Sequence, residues 1–409
     1  MNGALDRRLG LTGSVAIGMS AMIGAGLFVA FGPATAAAGD DVLIALAIAA
    51  VVAACNAASS ARLAARYPSA GGTYVYGRER LGPFWGYLAG WAFIAGKLAS
   101  CAAMAYAIGT YVAPEHAQAL AVIAVAAVVA INLAGVEKSA FVAVVVVAVV
   151  VTVVAVTATV LLSSAKAPAE DVADPTAGGV LHGAALLFFA FAGYARLATL
   201  GEEVRDPRRT IPRAMALSLV LVGIVYAVAA LALLHALGGE ALADSARPFV
   251  DAAESVGQPG LARVLQVVVV VSAAGALLSL TLGVSRTTLA MARDRHLPRA
   301  LARVSEHVPR HAELFVGALV IALVLLGNLS TSIAFSSFCV LLYYAITNAS
   351  AWTLSTSPWH RTTPVLGLIG CGVLALNVPM PTIGAGCVVL GIGVITYVIR
   401  TVARGSRTP

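Results

Sequence analysis

The feature that most constrains this chain is the return, along almost its whole length, of apolar runs about 20 residues long, the length at which an α-helix crosses a bilayer. Runs near residues 12–38, 41–64, 83–112, 117–135, 138–163, 180–201, 212–237, 259–292, 311–328, 330–353, 363–378 and 380–402 make about twelve crossings. Only 11% of the residues are charged and the mean hydropathy is +0.92, so no soluble domain is left between the runs. In hydrocarbon every backbone N–H and C=O must be bonded internally, which makes helices the elements these runs form. The expected fold is therefore an all-α polytopic membrane protein embedded in the lipid bilayer.

The net charge of +7 does not point to nucleic acid, because the charges sit in alternate loops. With the first residues inside, Lys166, Arg247 and Arg263 fall on the outer side and Lys97 and Arg196 within runs, leaving 21 of the 26 basic residues on the inner side. This asymmetry predicts both termini in the cytoplasm and a multi-pass place in the cytoplasmic membrane. Arg7-Arg8 before an apolar run resembles the start of a signal peptide, but the run is long and many follow, so it is read as the first crossing. Cys55, Cys101, Cys339, Cys371 and Cys387 lie in or at the edge of runs without CxxC spacing, which argues against a disulfide framework or a zinc site. No metal or other cofactor is expected.

Met22-Ile23-Gly24-Ala25-Gly26 stands in the first run. Glycines this dense predict a local loss of helix, tolerable beside a cavity, where bare backbone N–H groups are offered to a small anion. The competing reading is a close-packed small-residue face between two helices. The sixth run repeats the theme, with Gly193 following Phe188-Phe189-Ala190-Phe191-Ala192 and preceding Tyr194. The two runs open successive groups of five and point in opposite directions, the pattern of an inverted repeat over 12–163 and 180–353, with two further helices over 363–402. The last two runs are apolar and glycine-rich, suited to packing or to a homodimer contact.

Lys97 lies near the centre of the third run, where an ammonium costs about 2.5–3.5 kcal/mol and so must meet a partner or a wet cavity. Arg196 follows the second break and stands one or two turns from Glu202 and Glu203, a spacing that suits an inner gate whose ion pairs break and re-form. The other reading is a solvated interface, with exposed pairs worth about 0–1 kcal/mol. Between the second and third runs, Tyr67-Pro68-Ser69-Ala70-Gly71-Gly72-Thr73-Tyr74 predicts an irregular, shaped segment on the cytoplasmic side.

Four blocks together resemble the amino acid–polyamine–organocation superfamily of permeases. They are Ile23 to Phe28 (I-G-[SA]-G-[IL]-F); Tyr67 to Tyr74 (P-x-A-G-G-x-Y); Phe189 to Arg213 (F-x-F-x-G-[FY], then E-E-x-x-[ND]-P-x-R-x-I-P); and Ser285 to Pro298 (S-R-x-x-x-x-M-A-R-D-x-x-L-P). The resemblance implies a five-plus-five inverted repeat with two added helices, and secondary active transport of amino acids by alternating access. It puts the substrate carboxylate on backbone N–H groups around Gly24, Ala25 and Gly26. The ammonium would meet carbonyls near Ile23, Phe189, Ala190 and Ala192, with Phe189 closing over the substrate beside Gly193. Lys97 would face the substrate side chain.

Three departures qualify it. Proton-coupled relatives carry a lysine midway along the fifth helix, where this chain has valines around Val150; either Lys97 supplies that charge and H+ is the coupling ion, or the protein is an exchanger or uniporter. Ala195 stands where arginine/agmatine-type exchangers have an acid. Lys97 and Arg196 would repel a dibasic substrate, which favours neutral or acidic amino acids over an amino acid/polyamine exchanger or exporter. Finally, Arg295 replaces the usual glycine after Arg293-Asp294. A channel or receptor would share the polytopic build but would not need paired helix breaks. Enzyme function is disfavoured, since no acid stands at a span centre to join a histidine.

Overall fold

The computed structural model describes residues 9–24, 26–68, 71–134, 140–167, 176–200, 203–304, 309–354 and 357–405. Its helices are α1 (Leu11–Ile23), α2 (Gly26–Val29), α3 (Phe31–Ala38), α4 (Val42–Arg66), α5 (Thr73–Leu81), α6 (Pro83–Val112), α7 (Ala117–Leu133), α8 (Ala140–Ser163) and α9 (Ala177–Phe191). They continue as α10 (Ala195–Ala198), α11 (Pro207–Asp244), α12 (Pro248–Ser255), α13 (Pro259–Arg293), α14 (Arg310–Leu326), α15 (Leu329–Trp352), α16 (Pro358–Leu376) and α17 (Met380–Gly405). The all-α polytopic expectation is borne out.

Among the described residues ten helical stretches are long and apolar enough to cross a membrane, and the apolar helix His360–Leu376 is shorter. The sequence reading asked for about twelve. The two that fall short are still helical: α14 has 17 residues and carries Arg310 and Glu313 in its first turn, and the apolar part of α16 begins after Pro358.

Burial explains the arrangement. Helix α6 is enclosed for most of its length and packs on α13, α15, α5 and α7, while α4 packs on α11, α9 and α16. By contrast α11 leaves Leu217, Val220, Leu221, Ile224, Val228 and Leu231 exposed on one face at helical spacing, and α17 does the same with Val388, Ile392, Ile395 and Ile399. Such stripes suit lipid chains and would be a liability in water.

Two local features hold the broken spans in place. Leu9 N donates to Glu203 O at 3.1 Å and Arg205 N to Leu9 O at 2.8 Å, a single parallel bridge that ties the start of the first span to the segment after the sixth. Gly72, at φ +54, turns the chain into α5 on the α15 surface, where Thr73 N donates to Tyr343 Oη at 3.1 Å and Thr73 Oγ1 meets Thr347 Oγ1 at 2.7 Å. The irregular segment expected there is seated on a helix from the other half of the chain. Ser69 and Ala70 lie outside the described residues.

Candidate functional site

The first span leaves helical geometry at Gly24, with φ −37 and ψ −106, and resumes as α2 at Gly26. Ala25, between them, lies outside the described residues. The sixth span deviates more mildly: α9 ends at Phe191, and Ala192–Tyr194 form one 3₁₀ turn before α10. The tighter turn keeps part of its hydrogen bonding local, so Gly193 marks a wound-up break and not an unwound one.

The two breaks touch. A methyl group added to Gly193 would lie 2.3 Å from the Ala21 carbonyl oxygen, and one added to Gly26 would lie 2.7 Å from Ala190 Cα. Glycine is thus required at both places by the close crossing of two backbones. Small-residue packing and helix breaking, set as alternatives in the sequence reading, occur together here.

Breaking a helix frees carbonyls, and four at the crossing accept from side chains of neighbouring helices. Tyr226 Oη, on α11, donates to Met22 O at 2.7 Å and to Ala190 O at 3.0 Å. Ser272 Oγ, on α13, donates to Gly24 O at 3.3 Å. Ala192 O accepts from Lys97 Nζ at 3.1 Å and from Tyr344 Oη at 3.4 Å. Buried polar backbone demands such partners, and here α6, α11, α13 and α15 all supply one.

Of the residues anticipated for the site, Ile23, Gly24, Gly26, Phe189, Ala190, Ala192, Gly193 and Lys97 lie on the elements that meet at this crossing. Lys97 is 5% exposed, so its partner is protein and not bulk water. Beside it an aromatic layer runs from Tyr194 stacked on Tyr344, with centroids 5.0 Å apart, to Tyr343 and Phe93 at 5.3 Å. A narrow crevice lined by Gly71, Tyr74, Phe93, Thr199, Thr287 and Tyr343 adjoins this layer on the side of α5.

The residues expected to gate the site are arranged otherwise. Arg196 Nη1 donates to Thr199 Oγ1 at 3.0 Å, and no ion pair within 4 Å joins Arg196 to Glu203 among the described residues. Glu202 lies outside them. A different polar cluster bridges α5 to the end of α13: Arg78 Nη1 lies 3.3 Å from Asp294 Oδ2, Tyr74 Oη donates to the same oxygen, and His296 Nδ1 is 3.0 Å from Tyr74 Oη. Burial, helped by the Asp294 carboxylate, pushes the Tyr74 hydroxyl above its ordinary range and keeps it a donor. Arg295, in place of the usual glycine, adopts φ +62.

Three residues with evident roles escaped the sequence reading. Tyr226 carried one signal, as the single tyrosine in the aliphatic stretch from Leu217 to Ala236. Asp294 stood in the Ser285–Pro298 block with no role assigned to it. Glu313 fell inside the 311–328 run without being singled out, yet it is 0% exposed and accepts from Asn132 Nδ2 at 2.5 Å. Among the described residues no group of three or more His, Cys, Asp or Glu is placed to hold a metal ion.

Comparison with known proteins agrees with this architecture. An uncharacterized transporter of Mycobacterium tuberculosis is 55% identical over 405 residues, covering 97% of this chain and 92% of the relative. A serine/threonine exchanger of Bacillus subtilis is 26% identical, covering 84% of this chain and 82% of its own. A branched-chain amino acid permease of the same organism is 25% identical, covering 96% and 93%. The family described as amino acid permease matches residues 13–402. A chain with two crossed helix breaks, matched to that family across nearly all its length, belongs to the amino acid permease family: it is a multi-pass membrane transporter whose substrates are amino acids.

Proposed function

We propose that the protein is a secondary active transporter of the cytoplasmic membrane that moves neutral or acidic amino acids by alternating access. The observation that carries this reading is the gathering of four break carbonyls, those of Met22, Gly24, Ala190 and Ala192, around the Gly24–Gly26 interruption. Backbone N–H groups of Gly24, Ala25 and Gly26 take the substrate carboxylate, as helix N-termini take anions. The α-ammonium takes carbonyls of the same crossing, with Phe189 closing over it. Since Lys97 occupies Ala192 O in this structure, an arriving ammonium displaces it, and the freed Lys97 turns to the substrate side chain. That exchange of cations at one carbonyl favours side chains that are neutral or acidic.

The same reading divides the chain into repeats over 12–163 and 180–353, with 363–402 as added helices and both termini in the cytoplasm. The unequal distribution of lysine and arginine supports that orientation. The names of two relatives, a serine/threonine exchanger and a branched-chain permease, support neutral substrates. Arg196, with Glu202 and Glu203, belongs to the inner closure in a further conformation of the cycle. A thermal-shift screen of the twenty amino acids and several polyamines on purified protein, followed by counterflow in proteoliposomes, tests the proposal. Stabilisation by neutral or acidic amino acids is expected; a response to arginine or polyamines alone would sink it.

A further inference from the structure

Glu313, in the first turn of α14, is a fully buried acid that the substrate site does not use. Val324 O, eleven residues further along α14, accepts from Gln118 Nε2 at 3.0 Å and from Tyr106 Oη, which aligns α14 with α6 and α7. Glu313 therefore sits about 16 Å along α14 from that level, at 1.5 Å per residue, sandwiched where α7 ends.

The hydrogen bonds around the carboxyl do not close. Asn132 Nδ2 donates to Glu313 Oε1, leaving Glu313 Oε2 and Asn132 Oδ1 as buried acceptors without donors. Two orphan acceptors on one amide–carboxyl pair cost free energy comparable to lost hydrogen bonds. A single proton on Oε2 turns that oxygen into a donor, with Asn132 Oδ1 as the orphan acceptor of the same pair.

The charged and titratable groups nearby leave this task to a proton. Those on elements packed against α14 are Tyr87, Lys97, Cys101, Tyr106 and Tyr111 on α6, Arg263, Arg286 and Arg293 on α13, and Arg299 after α13, with none on α7; Arg310 and His311 share α14 itself. None of the Lys, Arg or His nitrogens is within 4 Å of the Glu313 carboxylate among the described residues.

We propose that Glu313, with Asn132, is the proton-binding site that couples transport to a pH gradient. This rests on the transport reading above. When the proton leaves, the carboxylate becomes an unpaired charge in a low-dielectric site, which disfavours this packing of α7 on α14 and drives the pair toward a wetter arrangement.

Proteoliposomes carrying Glu313→Gln, which keeps the size of the protonated acid, test this directly. The expected result is retained amino acid counterflow with loss of accumulation driven by an inward pH gradient. Infrared difference spectra across pH should show a protonated-carboxyl band in the wild type that Glu313→Gln lacks. Wild-type accumulation in Glu313→Gln, or no such band, overturns the proposal. If the wild type moves no amino acid, the transport reading fails while the band still decides the proton site. Should Glu313→Gln not fold, Asn132→Ala serves: the band frequency and the pH midpoint of accumulation must both move, and an unchanged midpoint overturns the assignment.

Discussion

Lys97 Nζ donates to the carbonyl oxygen of Ala192 at 3.1 Å, so the one lysine within the third span is bonded to the turn that interrupts the sixth. The contact satisfies a carbonyl freed by the 3₁₀ turn and holds a cation where a substrate ammonium is expected to arrive. Replacement by Met keeps the bulk and removes the charge; with Tyr344 Oη still 3.4 Å from Ala192 O, the fold should survive. Transport in proteoliposomes is expected to fall sharply and its pH dependence to change. Unaltered rates and pH profile in Lys97→Met would remove Lys97 from the mechanism.

Gly26→Leu should abolish amino acid binding. Even the first carbon of a side chain there meets Ala190 Cα at 2.7 Å, so the two backbones must part, at a cost of about 1–3 kcal/mol for an overpacked site. Ligand-induced thermal shift on the purified variant reports the loss, and wild-type affinity would refute the backbone cradle.

Tyr226→Phe removes a single hydroxyl that serves both breaks, through Met22 O and Ala190 O. The two buried carbonyls lose the one hydroxyl proton they share, and stability should drop by about 1–3 kcal/mol. Thermal unfolding in detergent measures it. A neutral outcome would mean that the carbonyls find water, and that the crossing is wet.

Arg295→Gly should leave the protein as stable or make it more stable. At φ +62 the arginine holds a left-handed conformation that costs a side-chain-bearing residue about 1–2 kcal/mol and glycine almost nothing. Because Arg400 Nη1 bonds the Arg295 backbone carbonyl at 3.1 Å, that contact does not depend on the side chain. A clear fall in melting temperature would show that the Arg295 side chain contributes more than its backbone strain removes.

Much of the architecture was legible because hydrocarbon leaves few choices. An apolar run of about 20 residues must be a helix, and a glycine cluster such as Gly24–Gly26 inside it must either break the helix or admit another backbone. Those rules are local, so they worked without knowing any neighbour. They placed a run at 311–328 but could not say that Glu313, in the first turn of α14, is fully buried. Nor did they show that the Arg196 guanidinium donates to Thr199 Oγ1, because side-chain direction is not set by sequence spacing.

What the sequence determined by itself was the material: helices, the weak points at Gly24 and Gly193, and the cation at Lys97. The tertiary structure decided which carbonyls those weak points expose and who answers them. Lys97, Tyr226, Ser272 and Tyr344 come from four helices and converge on one crossing, and Asn132 meets Glu313 across 181 positions of chain. Hydrogen bonding is directional and short-ranged, so partners so distant in sequence are chosen only when the helices have packed.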